Sequence, residues 1–338
     1  MRIAGRAVAL AAILCACART PSTRAVSLRD GTFAMGTALE LTLYGDDAAA
    51  LGRARDAIFA EAHRLDALLS NWRDDSDVSR LNRSAGGEAQ DVDPVVAELL
   101  AESAQYSRAT RGSFDVTVGP LVALWTRAGE VDALPAPQEI ELARARVGAE
   151  RIRVGPGASA ALPDGMAIDV GGIAKGFALD RVLPILRDLG IRDALLNFGQ
   201  SSTLALGAPP DSPDGWRLLA RAPEGGFAGV LTLRDQALSV SGSLGQWTEI
   251  QGRRYGHVID PRSGLPLRQR REALVVAPDA TLAEALSKAL LVLGQKEGIE
   301  VVAAQPGCEG LLLGEGGLDV ETPGWAQATR YQRIGGPP

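Results

Sequence analysis

Residues 195–234 read LLNFGQSSTLALGAPPDSPDGWRLLARAPEGGFAGVLTLR. Apolar residues run through polar neighbours, and two clusters break the run: Ala208-Pro209-Pro210-Asp211 and Pro223-Glu224-Gly225-Gly226. Proline fixes φ and removes a donor, while glycine admits left-handed φ. Such clusters end a strand and turn the chain back on itself. The segment therefore predicts hairpins.

Outward from it the pattern changes period. Residues 46–70 carry Leu51, Ile58, Ala62, Leu65 and Leu69 at helical spacing. His63 falls well off that apolar line and is expected to face solvent. Residues 93–110 repeat the helical pattern and close on Arg111-Gly112. Residues 168–190 begin as a short strand, turn through Gly171-Gly172 and continue as a helix. Residues 281–293 form a last helix stopped by Gly294, and residues 32–44 read as a strand entered through Met35-Gly36-Thr37. Helices interleaved with hairpins predict an α+β fold, with helices packed on antiparallel or mixed sheets. There is no internal repeat, and no linker divides residues 32–330.

The first residues carry an address. Arg2 and Arg6 precede an apolar stretch, residues 7–14, far too short to span a bilayer. Leu14-Cys15-Ala16-Cys17 resembles a bacterial lipobox, with small Ala16 before Cys17. Residues 1–17 are therefore expected to be a lipoprotein signal segment, with Cys17 lipidated and residues 18–31 a tether to the 32–330 domain. Acyl chains anchor at about 0.8 kcal/mol per buried methylene. An ordinary secretory leader is the alternative.

Composition narrows the chemistry. The chain has 338 residues, 46% hydrophobic and 22% charged, which reads as mostly soluble and globular. The formal charge of −6 gives no basic surface for nucleic acid. His63 and His257 are the only histidines, and Cys15, Cys17 and Cys308 the only cysteines. That rules out a multi-histidine or four-cysteine metal site, and Cys308 has no disulfide partner once the leader is gone.

Three segments could carry chemistry. Asp169-Val170-Gly171-Gly172-Ile173-Ala174-Lys175-Gly176 joins a glycine turn to a helix start, where free N–H groups, the helix dipole and Lys175 favour an anion. It has neither the phosphate-loop nor the dinucleotide glycine spacing, and a plain tight turn would read the same. Tyr255-Gly256-His257-Val258-Ile259-Asp260-Pro261-Arg262-Ser263-Gly264 sets an imidazole, suited to taking a hydroxyl proton near neutral pH, beside a turn. A structural histidine is the bland alternative. Gly112-Ser113-Phe114-Asp115 offers an aromatic face and a carboxylate, or simply a strand end.

Taken together and in order, these segments resemble the ApbE family of FAD:protein FMN transferases. Met35-Gly36-Thr37, Leu69-Ser70-Asn71-Trp72, Ser76, Leu81-Asn82, Asn197-Phe198-Gly199, Ser241-Gly242 and the 283–294 helix extend the likeness. The resemblance implies transfer of FMN from FAD to a Ser or Thr hydroxyl of a target flavoprotein. It also implies an envelope protein on the periplasmic side. Met35, Trp72, Ser113, Phe114, Asp115, Asp169, Lys175 and His257 would contact FAD, and His257 would be the base. Mg²⁺ at the diphosphate would be held by the backbone near Gly172 and by two late-helix side chains, normally Asp and Thr. FAD hydrolysis to FMN and AMP, or FAD binding without catalysis, are the alternatives.

The late helix departs from that pattern. Glu284 stands for the Asp and Lys288 for the Thr. A protonated lysine has donors and no acceptor, so it cannot ligate a metal. Either Lys288 places its own charge at the diphosphate, or the two form an ordinary helical ion pair. Gln200-Ser201 is a second departure, putting a side chain where the family has glycine.

Overall fold

The computed structural model describes residues 26–243 and 245–334. The leader and Cys17 lie outside the described residues. One eight-stranded sheet organises the rest. Its order is Val26–Ala34, Thr37–Gly45, Asp193–Phe198, Ser202–Leu206, Gln236–Gly242, Arg271–Ala277, Glu309–Gly314 and Val320–Glu321. Every neighbouring pair is antiparallel. The opening stretch supplies four strands in series, two in this sheet and two (Trp216–Arg221 and Phe227–Leu233) in a three-stranded sheet packed on its far side.

Three long helices cover the near face. In Ala48–Leu69 the residues Leu51, Ile58, Ala62, Leu65 and Leu69 are buried, as their spacing predicts, and Asp47 caps the helix by accepting from the Ala49 N–H. His63 is exposed, its Nε2 lying 3.0 Å from Thr32 Oγ1. Ala174–Asp188 and Ala280–Ala303 pack beside it, the latter against Ala273, Val275 and Leu312. On the opposite face Leu274, Val276 and Leu311 meet Trp216, Leu231 and Trp325. The α+β reading holds, with antiparallel sheets.

Several boundaries differ from expectation. Residues 32–44 are two strands, not one: Met35 (φ 48°) and Gly36 (φ 72°) make a two-residue turn between Ala34 and Thr37. Two consecutive positive φ values give a turn whose twist matches paired strands. The sheet begins at Val26, so residues 26–31 belong to an edge strand and not to a tether. Half-buried alternation on an edge leaves little apolar signal to read. Residues 168–170 join no sheet. Asn82 instead brackets Ile168, Nδ2 donating to its carbonyl at 2.9 Å and Oδ1 accepting from its N–H at 2.7 Å. Gly294 (φ 76°) does break the last helix, but the chain resumes helical turns to Ala303.

Two helix starts are forced together. A Cβ on Gly176 would stand 2.3 Å from the Ala280 carbonyl oxygen, so only glycine lets them approach. Asp180 then receives the Ala280 and Thr281 N–H groups, each at 2.8 Å, tying one helix to the N-terminus of the other. Among the described residues no helix is long and apolar enough to cross a membrane.

Candidate active site

The site forms where that helix pair meets the glycine turn. Asp169 Oδ1 accepts from the Gly171 N–H at 2.8 Å, closing an Asx turn. The helix that follows has no side-chain cap at its start. Glu284 reaches across from the late helix and its Oε2 accepts from the Gly176 N–H at 2.9 Å. A carboxylate is thus placed at the positive end of a helix dipole. Ser202 Oγ donates to the other oxygen, Oε1. Lys175 Nζ lies 3.9 Å from Oε1 and Lys288 Nζ 3.8 Å from it.

Burial decides between the two readings of the Glu284–Lys288 pair. Glu284 is 0% exposed, and the lysine side chains are 19% (Lys175) and 18% (Lys288) exposed. This is a sequestered charge cluster, not a solvated helix face. Burial pushes the Lys288 ammonium down to about 8, against the pull of Glu284, and Lys175 lowers it further. Lys288 also borders the glycine turn: a Cβ on Gly172 would stand 3.8 Å from both Lys288 Cε and Phe114 Cε2. Phe114, Gly172, Lys175, Glu284 and Lys288 are therefore one constellation.

His257 joins it from a separate hairpin. Strands Trp247–Ile250 and Arg253–Gly256 pair with Trp247 opposite Gly256, which sets Gln246 opposite His257. The Gln246 carbonyl receives the His257 N–H at 3.1 Å and lies 3.0 Å from Nδ1. A carbonyl only accepts, so Nδ1 carries the proton and Nε2 keeps its lone pair. His257 is partly open to solvent, yet the desolvation it does suffer holds the imidazole below the usual histidine range, against the pull of the Gln246 carbonyl. Lys288 and Lys175 depress it further. A histidine kept neutral with a free Nε2 is a ready general base. The Asp260-Pro261-Arg262 turn behind it is fastened by Arg262 to Asp260, with Nε to Oδ1 at 3.0 Å and a second N–H to Oδ2 at 3.1 Å.

The other residues expected at FAD have these surroundings. Asp115 spends both oxygens internally, accepting from Ser107 Oγ, the Ala149 N–H, the Thr117 N–H and Thr117 Oγ1 at 2.6–3.0 Å. Four bonds fill its acceptor capacity and leave nothing for a ribose or ribityl hydroxyl. Ser113 is buried and donates to the Thr110 carbonyl at 2.7 Å. Both brace Phe114. Met35 sits half-buried in its turn, and Trp72 projects into solvent, 95% exposed. Gln200 takes left-handed φ (58°), its side chain exposed and bonded by Arg221. The missing glycine is thus accommodated by backbone strain, of order 1–2 kcal/mol.

The expected Mg²⁺ fits this donor set poorly. One Glu284 oxygen is committed to a backbone N–H and the other to Ser202 and two ammonium groups. The third expected position, Lys288, offers no lone pair. Among the described residues no three His, Cys, Asp or Glu side chains converge. Ser202 and the Gln246 carbonyl escaped sequence reading. A lone serine and a backbone oxygen carry no residue signature.

Comparison with known proteins points to one family. The ApbE family model matches residues 35–312. The chain is 29% identical over 329 residues to a Salmonella typhimurium protein named FAD:protein FMN transferase, covering 92% of this chain and 93% of that one. A Haemophilus influenzae protein of the same name is 30% identical over 310 residues, covering 87% and 88%. Among solved structures, the ApbE protein of Thermotoga maritima superposes with a TM-score of 0.80 at 28% identity, covering 90% of this chain and 99% of that chain. The apo flavinyl transferase ApbE of Pseudomonas stutzeri superposes at 0.78, also with 28% identity, covering 90% and 97%. The chain belongs to the ApbE family.

Proposed function

We propose that the chain is an FAD:protein FMN transferase. The observation that carries this is His257, its Nδ1 turned to the Gln246 carbonyl, in the field of the two ammonium groups gathered at Glu284 by the glycine turn. The acceptor Ser or Thr oxygen bonds to the FMN-side phosphorus of FAD. The bond from that phosphorus to the bridging oxygen breaks, and AMP leaves with the oxygen and its electron pair. His257 Nε2 takes the hydroxyl proton. Lys175 and Lys288 meet the negative charge on the phosphoryl oxygens, and the Gly171-Gly172 turn lets backbone approach them. Phe114, buried in the core, packs at the same turn.

The decisive experiment incubates the purified chain with FAD and a flavoprotein subunit bearing an acceptor Thr. Covalent FMN on the subunit with equimolar AMP is the expected result. AMP with free FMN instead would make the chain a pyrophosphatase, and neither product would make it an FAD-binding protein only.

FAD is expected to bind more tightly than FMN, because the diphosphate meets two cations and the monophosphate only part of the site. Lys175→Ala should lower FAD affinity by about tenfold, the scale of one charge-assisted contact. Fluorescence titration of both flavins checks this, and equal affinities in wild type and variant would reject the anion site.

The leader supports a location. We propose that Cys17 is lipidated and holds the domain at a membrane on the periplasmic side, where it meets its flavoprotein target. Mass spectrometry of the membrane fraction should find a mature chain starting at diacylated Cys17. An unmodified N-terminus in wholly soluble protein would remove the proposal.

A further inference from the structure

Lys288 is built into the site more deeply than an ion pair requires. Its side chain is mostly buried, its Cε borders Gly172, and its Nζ shares Glu284 Oε1 with Lys175. One carboxylate stands between two ammonium groups, and the other carboxylate of the turn, Asp169, accepts from the Gly171 N–H. Each ammonium has three donors, and Glu284 occupies only part of them. Lys288 therefore keeps N–H groups for a ligand.

A divalent ion and this ammonium compete for one place. Magnesium bonds oxygen at about 2.0–2.1 Å, so an ion on Glu284 Oε1 would sit within a few ångströms of Lys288 Nζ. It would also share Oε1 with the Ser202 hydrogen bond. Like charges this close repel strongly where water is scarce.

We propose that the Lys288 ammonium is a built-in counter-cation for the FAD diphosphate, so that this chain binds and turns over FAD without a divalent metal. The inference rests on the flavin-transfer reading. It assigns the charge neutralisation of that reaction to a covalently attached group and leaves its bonds, proton and leaving group as written above.

The test measures FAD affinity by fluorescence in chelator and in millimolar Mg²⁺, and Mg²⁺ binding by calorimetry without flavin. Three proteins are compared: wild type, Lys288→Arg, and Lys288→Thr combined with Glu284→Asp. Wild type is expected to bind FAD equally in the two buffers, within about twofold, and to show no Mg²⁺ heat. Lys288→Arg should behave alike, since its charge persists. The double variant should lose about tenfold in chelator and recover it with Mg²⁺, having regained an oxygen ligand. If the double variant does not fold, Lys288→Met, which keeps the stem and loses the charge, should show the same loss in chelator. Wild-type binding that weakens about tenfold or more in chelator overturns the counter-cation role while the flavin reading stands. Folded wild type that binds FAD in neither buffer overturns the flavin reading, and this inference with it.

Discussion

Replacing Glu284 with alanine is expected to destabilise the fold by about 3–5 kcal/mol, the scale for breaking a buried, hydrogen-bonded charge cluster. The carboxylate is fully buried and joins three parts of the chain: its own helix, the start of the Ala174–Asp188 helix through Gly176, and the Ser202–Leu206 strand through Ser202. Its loss orphans a backbone N–H and a hydroxyl, at about 1–3 kcal/mol each. Lys175 and Lys288 are then left facing one another with no anion between them. Glu284→Gln keeps the volume and one carbonyl oxygen, and should fall between wild type and alanine. Urea unfolding checks this: the midpoint should drop with the slope unchanged. A loss under about 1 kcal/mol would show that the carboxylate is not part of what holds the helices together.

His257→Ala is expected to lower turnover by about 10²–10⁴-fold, the usual contribution of a general base. FAD affinity should stay within a few-fold, because the diphosphate meets the lysines. The pH profile gives a second readout. The base works only when unprotonated, and burial together with Lys288 and Lys175 disfavours the protonated form. Turnover should therefore be flat through neutrality and fall on acidification, with a midpoint below the ordinary histidine value of about 6.5. That acid limb should vanish in His257→Ala. His63→Ala is the control: exposed on its helix and touching Thr32, it should change neither rate nor profile. Equal turnover in His257→Ala and wild type would refute the assignment.

Hairpins and helices were legible where a local cause sufficed. The proline and glycine clusters of the opening stretch ended strands because proline lacks an N–H and glycine allows positive φ; Pro223–Gly226 turns the hairpin of Trp216–Arg221 and Phe227–Leu233, whereas Ala208–Asp211 carries the chain from one sheet to another and makes no hairpin. The buried stripe of Ala48–Leu69 matched its spacing residue by residue. The Met35-Gly36 turn went unread because methionine gives no hint of a left-handed φ. The edge strand from Val26 went unread because an edge leaves one face wet and its apolar pattern weak.

The site divides along the same line. The Gly171-Gly172 turn, Lys175 and His257 could be singled out from residue type and neighbours. Asp115 was equally eye-catching, yet packing turned it inward to Ser107, Thr117 and Ala149. Trp72 was turned out to solvent. Glu284 and Lys288 are four residues apart on a helix, a spacing that in sequence left both an ordinary ion pair and a charge aimed at the diphosphate open. Their meaning came from a partner 108 residues away, the Gly176 N–H, and from the Ser202 strand. Local patterning sets φ, period and turn, because those depend on neighbouring residues. Whether a charge is solvated or sequestered depends on what the rest of the chain packs against it, and only the tertiary structure decided that.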